Sequence, residues 1–109
     1  PETAIKRLKS YKGDDKNIAP AMIGLIGDCY VSTGKTKEAI SYFEKAASKA
    51  NNTVISPIYL KKAGIAYESL NQYKDAIKVY TEIKEKYNQS TEASDIDKYI
   101  TRAEILSKQ

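Results

Sequence analysis

Apolar residues recur along this chain every three or four positions, the spacing that collects side chains on one face of an α-helix. Ile40, Phe43, Ala46 and Ala47 follow that spacing, as do Ala76, Ile77, Tyr80 and Ile83, and again Ile96, Ile100, Ala103 and Leu106. Punctuating residues stand between the runs. Pro20 and Pro57 suit the first turn of a helix, while Gly34 and Asn71 suit the left-handed residue that ends one. The pattern predicts an all-α chain with helices over 2–11, 20–33, 36–50, 57–70, 73–87 and 92–107.

Two of these segments superimpose. When the stretch from Pro20 is laid on the stretch from Pro57, Ile23, Ile26, Gly27 and Tyr30 fall on Leu60, Ala63, Gly64 and Tyr67. Ala39, Phe43 and Ala46 then fall on Ala76, Tyr80 and Ile83, so the turn inside each unit has the same length. Glycine in a helix interior costs about 1 kcal/mol relative to alanine, so its appearance in both copies requires a packing reason. The expectation is a close crossing in which Gly27 and Gly64 face Ala39 and Ala76, with Tyr30, Phe43, Tyr67 and Tyr80 filling the space around the contact.

A large apolar residue, a small pair, a tyrosine, and then alanine followed by an aromatic resembles the signature of the tetratricopeptide repeat. Ile23 and Leu60 stand where that family often has Trp, and Asn51 and Asn88 where it often has Pro. The copies are 37 residues apart. The usual period is about 34, and the excess is attributed to a longer connection through Asn51-Asn52-Thr53. The resemblance implies one domain, an α-solenoid of antiparallel helix pairs. It divides into a half-repeat over 1–19, repeats over 20–56 and 57–90, and a capping helix within 91–109 that turns Lys98, Arg102 and Lys108 to water. The half-repeat is suggested by Ala4 and Leu8, which repeat the spacing of Ala39 and Phe43. Pro1 reads as a cut end, so further repeats are expected upstream. Without them, Ile5 and Leu8 would expose an apolar strip, and a homodimer through that N-terminal face is expected.

In this family the first helices of successive repeats line a concave groove. Carried onto this chain, the lining is Ala21, Gly24, Leu25, Asp28 and Ser32, then Ile58, Lys61, Lys62, Ile65 and Glu68. Ile58 and Ile65 lie seven apart on one stripe flanked by Lys61 and Glu68, a surface suited to an extended segment or amphipathic helix of a protein partner. Members that grip a terminal carboxylate use Lys, Asn and Arg in the groove. Ile65 occupies a place where that clamp needs Asn, and no groove Arg is available. The implied function is a non-catalytic scaffold that binds a peptide or protein. The alternative is a structural module that self-associates or packs in an oligomeric or cell-envelope complex. The run from Ile77 to Asn88 and the Ser-Thr-Glu-Ala stretch after it resemble bacterial members, which implies the cytoplasm or the periplasm and envelope.

Composition narrows the chemistry. Hydrophobic residues make up 41% of the 109 and charged residues 29%, an ordinary balance for a folded domain. The net charge of +4 is spread over lysines alternating with acids, and Arg7 and Arg102 are the sole arginines. That is the pattern of a solvated helix face and not a nucleic-acid footprint. No stretch reaches the roughly 20 apolar residues of a membrane span, so no direct insertion is expected. With no His, a His-paired nucleophile and a His-containing zinc site are excluded, and Cys29 alone makes neither a disulfide nor a thiolate metal cluster. Gly34-Lys35-Thr36 mimics the end of a phosphate-binding loop, but the required first glycine falls at Cys29 and the preceding stretch is helical. Asp14-Asp15 and the Asp95, Asp97 pair fit loop and helix-start carboxylates. Asn51-Asn52-Thr53 and Asn88-Gln89-Ser90 are formal glycosylation sequons, relevant only to a eukaryotic secretory pathway. No catalytic, cofactor or metal residue is predicted.

Overall fold

The computed structural model describes Thr3, Ile5 and residues 19–109. The described elements are α1 (Pro20–Ser32), α2 (Thr36–Ala50), α3 (Ile55–Ser69), α4 (Tyr73–Lys86), a 3-10 turn (Glu92–Asp95) and α5 (Ile96–Ser107). No strand occurs among the described residues. Each helix packs on the one before and the one after it, and α1 also touches α3. The result is an elongated slab of 43 × 29 × 17 Å. Turns this short between long helices force antiparallel neighbours, so α1–α2 and α3–α4 are the two expected pairs.

The crossing inside each pair depends on a missing side chain. A Cβ on Gly27 would stand 2.6 Å from the Phe43 ring and 3.3 Å from the Ala39 carbonyl oxygen, and one on Gly64 would stand 2.2 Å from the Tyr80 ring. Ala39 and Ala76 are fully buried beside these contacts, as expected. However, the aromatic rings, and not the alanine methyls, occupy the space the glycines leave, because a flat ring fills a gap that a methyl cannot. Ile23, Ile26, Ile83 and Ile96 complete the buried column.

Both intra-pair turns use the same backbone device. Gly34 (φ 80°) and Asn71 (φ 60°) take the left-handed conformation. The next N–H in each case, from Lys35 and Gln72, reaches back to the carbonyls of Tyr30 and Tyr67 at 2.8 and 2.9 Å. This closure satisfies carbonyls that the helix end would otherwise leave bare.

The connection between the pairs differs from expectation. α3 starts at Ile55, two residues before Pro57. Asn51 (φ 46°) ends α2 in the left-handed region. The side-chain oxygen of Asn52 then accepts the N–H groups of Val54 and Ile55 at 2.9 and 2.7 Å. Its own N–H donates to Ser56 Oγ at 3.0 Å, and the fully buried Ser56 hydroxyl donates to the Ala47 carbonyl at 2.7 Å. The two asparagines thus end one helix and cap the next, which moves the start forward.

The single helix expected over 92–107 is broken into the 3-10 turn and α5. Ser90 explains part of this: its hydroxyl donates to the Tyr87 carbonyl at 2.7 Å and accepts the Ala93 N–H at 3.2 Å, drawing backbone groups out of a regular α pattern. α5 begins where Ile96 enters the core, and Ala103 follows on the same buried face. At the other end, Thr3 and Ile5 are helical. Ile5 is buried in a cluster with Ile26 and Cys29, so it does not form an exposed strip as expected, because α1 already supplies its apolar cover. The rest of the predicted 2–11 helix, Ala4 and Leu8 included, lies outside the described residues. Cys29 is a small buried hydrophobe in that same cluster.

The crossing predicts a strict size limit. Gly64→Ala gains about 1 kcal/mol of helix propensity but forces an extra methyl into a packed ring, which costs about 1–3 kcal/mol. A net loss is expected, read as a lower urea midpoint. Gly24→Ala, which meets only the outer end of the partly exposed Tyr59 ring, is the milder control. An unchanged midpoint for Gly64→Ala would show that Tyr80 yields.

Candidate interaction groove

The first helices α1 and α3 lie side by side and leave a groove of about 530 Å³ between them. Asp28, Val31 and Ser32 of α1 form one wall, and Lys62, Ile65, Ala66 and Ser69 of α3 form the other, with Thr36 and Phe43 of α2 between. Val31 and Ile65 are each 46% exposed, large apolar side chains left open to water. Helical spacing explains the walls: Asp28 and Ser32 are four apart, and Lys62, Ile65 and Ser69 lie three and four apart.

Of the ten lining residues expected, Asp28, Ser32, Lys62 and Ile65 come together here. Leu25, one turn before Asp28, is exposed, and so is Ala21, whose carbonyl accepts the Tyr59 hydroxyl at 3.5 Å. Gly24 is buried: the Tyr59 ring lies against it, so it offers no open surface. Ile58 and Ile65, seven residues apart on one helix face, line different depressions. Ile58 lines one of about 240 Å³ with Val54 and residues 89–92, because the 3-10 turn packs over the start of α3. Lys61 and Glu68 face α5. Val31, Thr36, Phe43, Ala66 and Ser69 also line the groove, beyond the expected residues. Of these, helical spacing places Val31 and Ser69 on the same walls, three residues after Asp28 and four after Ile65.

Three polar pairs hold the first helices in register. Lys62 Nζ lies 2.8 Å from Asp28 Oδ1, joining α3 to α1. Lys61 Nζ lies 3.6 Å from Asp95, at the end of the 3-10 turn. Arg102 of α5 forks onto Glu68 of α3, Nε to Oε1 at 2.9 Å and Nη2 to Oε2 at 2.7 Å, so this arginine is not simply turned to water as expected. A ring backs each cation. Lys62 Nζ is 5.5 Å from the Tyr59 ring centre, and the Arg102 guanidinium is 4.7 Å from that of Tyr99. The pattern aromatic, two residues, cation therefore occurs twice, as Tyr59 to Lys62 and Tyr99 to Arg102, and each copy secures its helix to the first helix of the preceding pair.

Glu68 is the most committed acid. Its side chain is 10% exposed, and besides Arg102 it accepts the hydroxyl of the fully buried Tyr80. Burial and this bond push the Tyr80 hydroxyl well above the ordinary tyrosine range, with Arg102 opposing the shift. Burial, then Glu44, pushes Tyr67 up to about 12; its hydroxyl donates to both Glu44 oxygens at 3.1 Å.

A second depression of about 410 Å³ lies on the opposite helices, between α2 and α4, with Glu44, Glu82 and Lys86 on its rim and Leu60 and Tyr87 within it. Among the described residues, no group of three or more His, Cys, Asp or Glu is placed to hold a metal ion, and no helix is long and apolar enough to cross a membrane.

Antiparallel helix pairs stacked in sequence order, each closed on a glycine, define an α-helical repeat protein. The chain belongs to the tetratricopeptide repeat family, whose models match residues 21–52 and 60–90. Repeats of this family generally serve as non-enzymatic modules of protein–protein interaction. Neither the curated proteins nor the solved structures contain a significant match to the chain.

The tyrosines predict alkaline sensitivity. A hydroxyl whose folded pKa lies above its unfolded value of 10.0 contributes stability that is complete below pH 10 and is lost as pH rises through the folded value, about 12 for Tyr67. The urea midpoint should fall between pH 10 and 12, and Tyr67→Phe should flatten that fall. An equally steep fall in the variant would show that Tyr67 ionises alike in both states.

Proposed function

We propose that this chain is a non-catalytic scaffold that holds a segment of a protein or peptide in the groove between α1 and α3. The observation that carries this reading is the pair of half-exposed side chains, Val31 and Ile65, lining one groove on two different helices. Scattered apolar residues on a surface mean little, but two convergent ones in a concavity floored by an aromatic ring favour an apolar anchor from a partner. Burying them returns free energy at roughly 25 cal/mol per Å² of apolar surface. The family's general role in protein–protein interaction supports the same reading.

Terminal-carboxylate capture is not favoured. Lys61, the lysine available for it, is paired with Asp95 and stacked 4.5 Å from the Tyr99 ring centre, and Arg102 is spent on Glu68. The depression containing Ile58 is smaller and sits apart from the groove, so a ligand of the groove need not reach it.

Selection against a random displayed-peptide library tests the reading. Binders selected with the native chain should weaken by about tenfold or more on Ile65→Asp, because a charge then enters the desolvated contact. Ile58→Asp should leave them unchanged, and unchanged helix content and urea midpoint should show both variants folded. Failure to select any binder, or binders indifferent to Ile65→Asp, would refute the groove. Concentration-dependent association without peptide, measured by light scattering and abolished by Ile65→Asp, would replace it with self-assembly.

A further inference from the structure

Building on the groove reading, we infer that the groove selects a short uncharged segment with an aliphatic side chain at its centre, and that Asp28 sets this selectivity by holding the Lys62 ammonium. The charges on the described lining are these two alone, and at 2.8 Å they cancel. Lys62 is also held by aromatic rings, those of Tyr59 and Phe43 being centred 5.5 and 6.0 Å from its nitrogen. What remains open to a ligand is the aliphatic surface of Val31 and Ile65, together with the hydroxyls of Ser32 and Ser69.

Those hydroxyls already donate inward, Ser32 to the Asp28 carbonyl at 3.2 Å and Ser69 to the Ala66 carbonyl at 2.7 Å. Their oxygens still accept, so they suit the N–H groups of a peptide backbone and not a carboxylate. A ligand acid would have to take Lys62 from Asp28 and leave Asp28 facing a second negative charge. A ligand amine would meet the mirror problem at Lys62. A neutral aliphatic residue disturbs neither charge, so discrimination arises from what the pair rejects.

The probes are three terminally blocked peptides of identical Ser/Gly flanks with Leu, Glu or Lys at the centre, titrated while amide chemical shifts of α1 and α3 are followed. The native chain should bind the Leu peptide about tenfold more tightly than either charged one. Asp28→Asn, nearly isosteric on a half-exposed side chain, frees Lys62 and should shift preference to the Glu peptide. Lys62→Gln should shift it to the Lys peptide, which keeps the test open if one variant fails to fold. If the native chain prefers a charged peptide and Ile65→Asp abolishes that binding, the groove stands and the selectivity inference is overturned. The inference is likewise overturned if preference stays with Leu in both charge variants. If no peptide shifts groove resonances, or Ile65→Asp leaves binding unaltered, the groove reading itself fails and the selectivity goes with it.

Discussion

A backbone without a side chain, laid against an aromatic ring, sets the geometry of this molecule. At Gly27 and again at Gly64 the first helix of a pair comes close enough that even one methyl would collide with Phe43 or Tyr80. That approach fixes the depth at which the two helices of a pair interlock, and thereby which residues on the first helix face outward. Asp28 borders the groove because Gly27 is pressed inward; Ile65 borders it because Gly64 is. Polarity of the second ring extends the same constraint. Tyr80 fills the pocket at Gly64 as Phe43 fills that at Gly27, but its hydroxyl reaches Glu68, which Arg102 also engages. One buried phenol thus joins α3 and α4, and through Glu68 the terminal helix α5.

Between pairs, polar interactions set the register but not the stacking. Exposed ion pairs are individually weak, roughly 0–1 kcal/mol, so they do not account for the stacking by themselves. Apolar burial does that, with Tyr59 and Tyr99 seated on the preceding pair and Ile96 driven into the core. The cations one turn after each tyrosine choose among nearby registers, since sliding a first helix by one turn would separate Lys62 from Asp28 and Arg102 from Glu68. The consequence reaches the surface. Charges used for register are not available to a ligand, so all four charged residues expected to line the groove, Asp28, Lys61, Lys62 and Glu68, serve first as struts between helices.

The fold was legible because its determinants are local or periodic. Helical spacing, the glycine in each first helix and the left-handed Gly34 and Asn71 are all visible as residue types at fixed intervals. The misplaced boundaries have a common cause in short polar side chains: Asn52 and Ser56 start α3 early, and Ser90 interrupts the last helix, each by a hydrogen bond whose partner depends on how the chain turns. The groove was legible in part. Asp28, Ser32, Lys62 and Ile65 follow from their spacing on the first helices, whereas Gly24 was lost to Tyr59 and Ile58 to the 3-10 turn, both contributed by elements distant in sequence.

By itself, then, the order of residues determined the helical class, the duplication and the pairwise crossing, because each is written in spacings shorter than one repeat. Tertiary structure alone decided which outward positions stay open. Openness depends on what the next first helix lays across the last one, and that is set by how two helices more than thirty residues apart come to rest side by side.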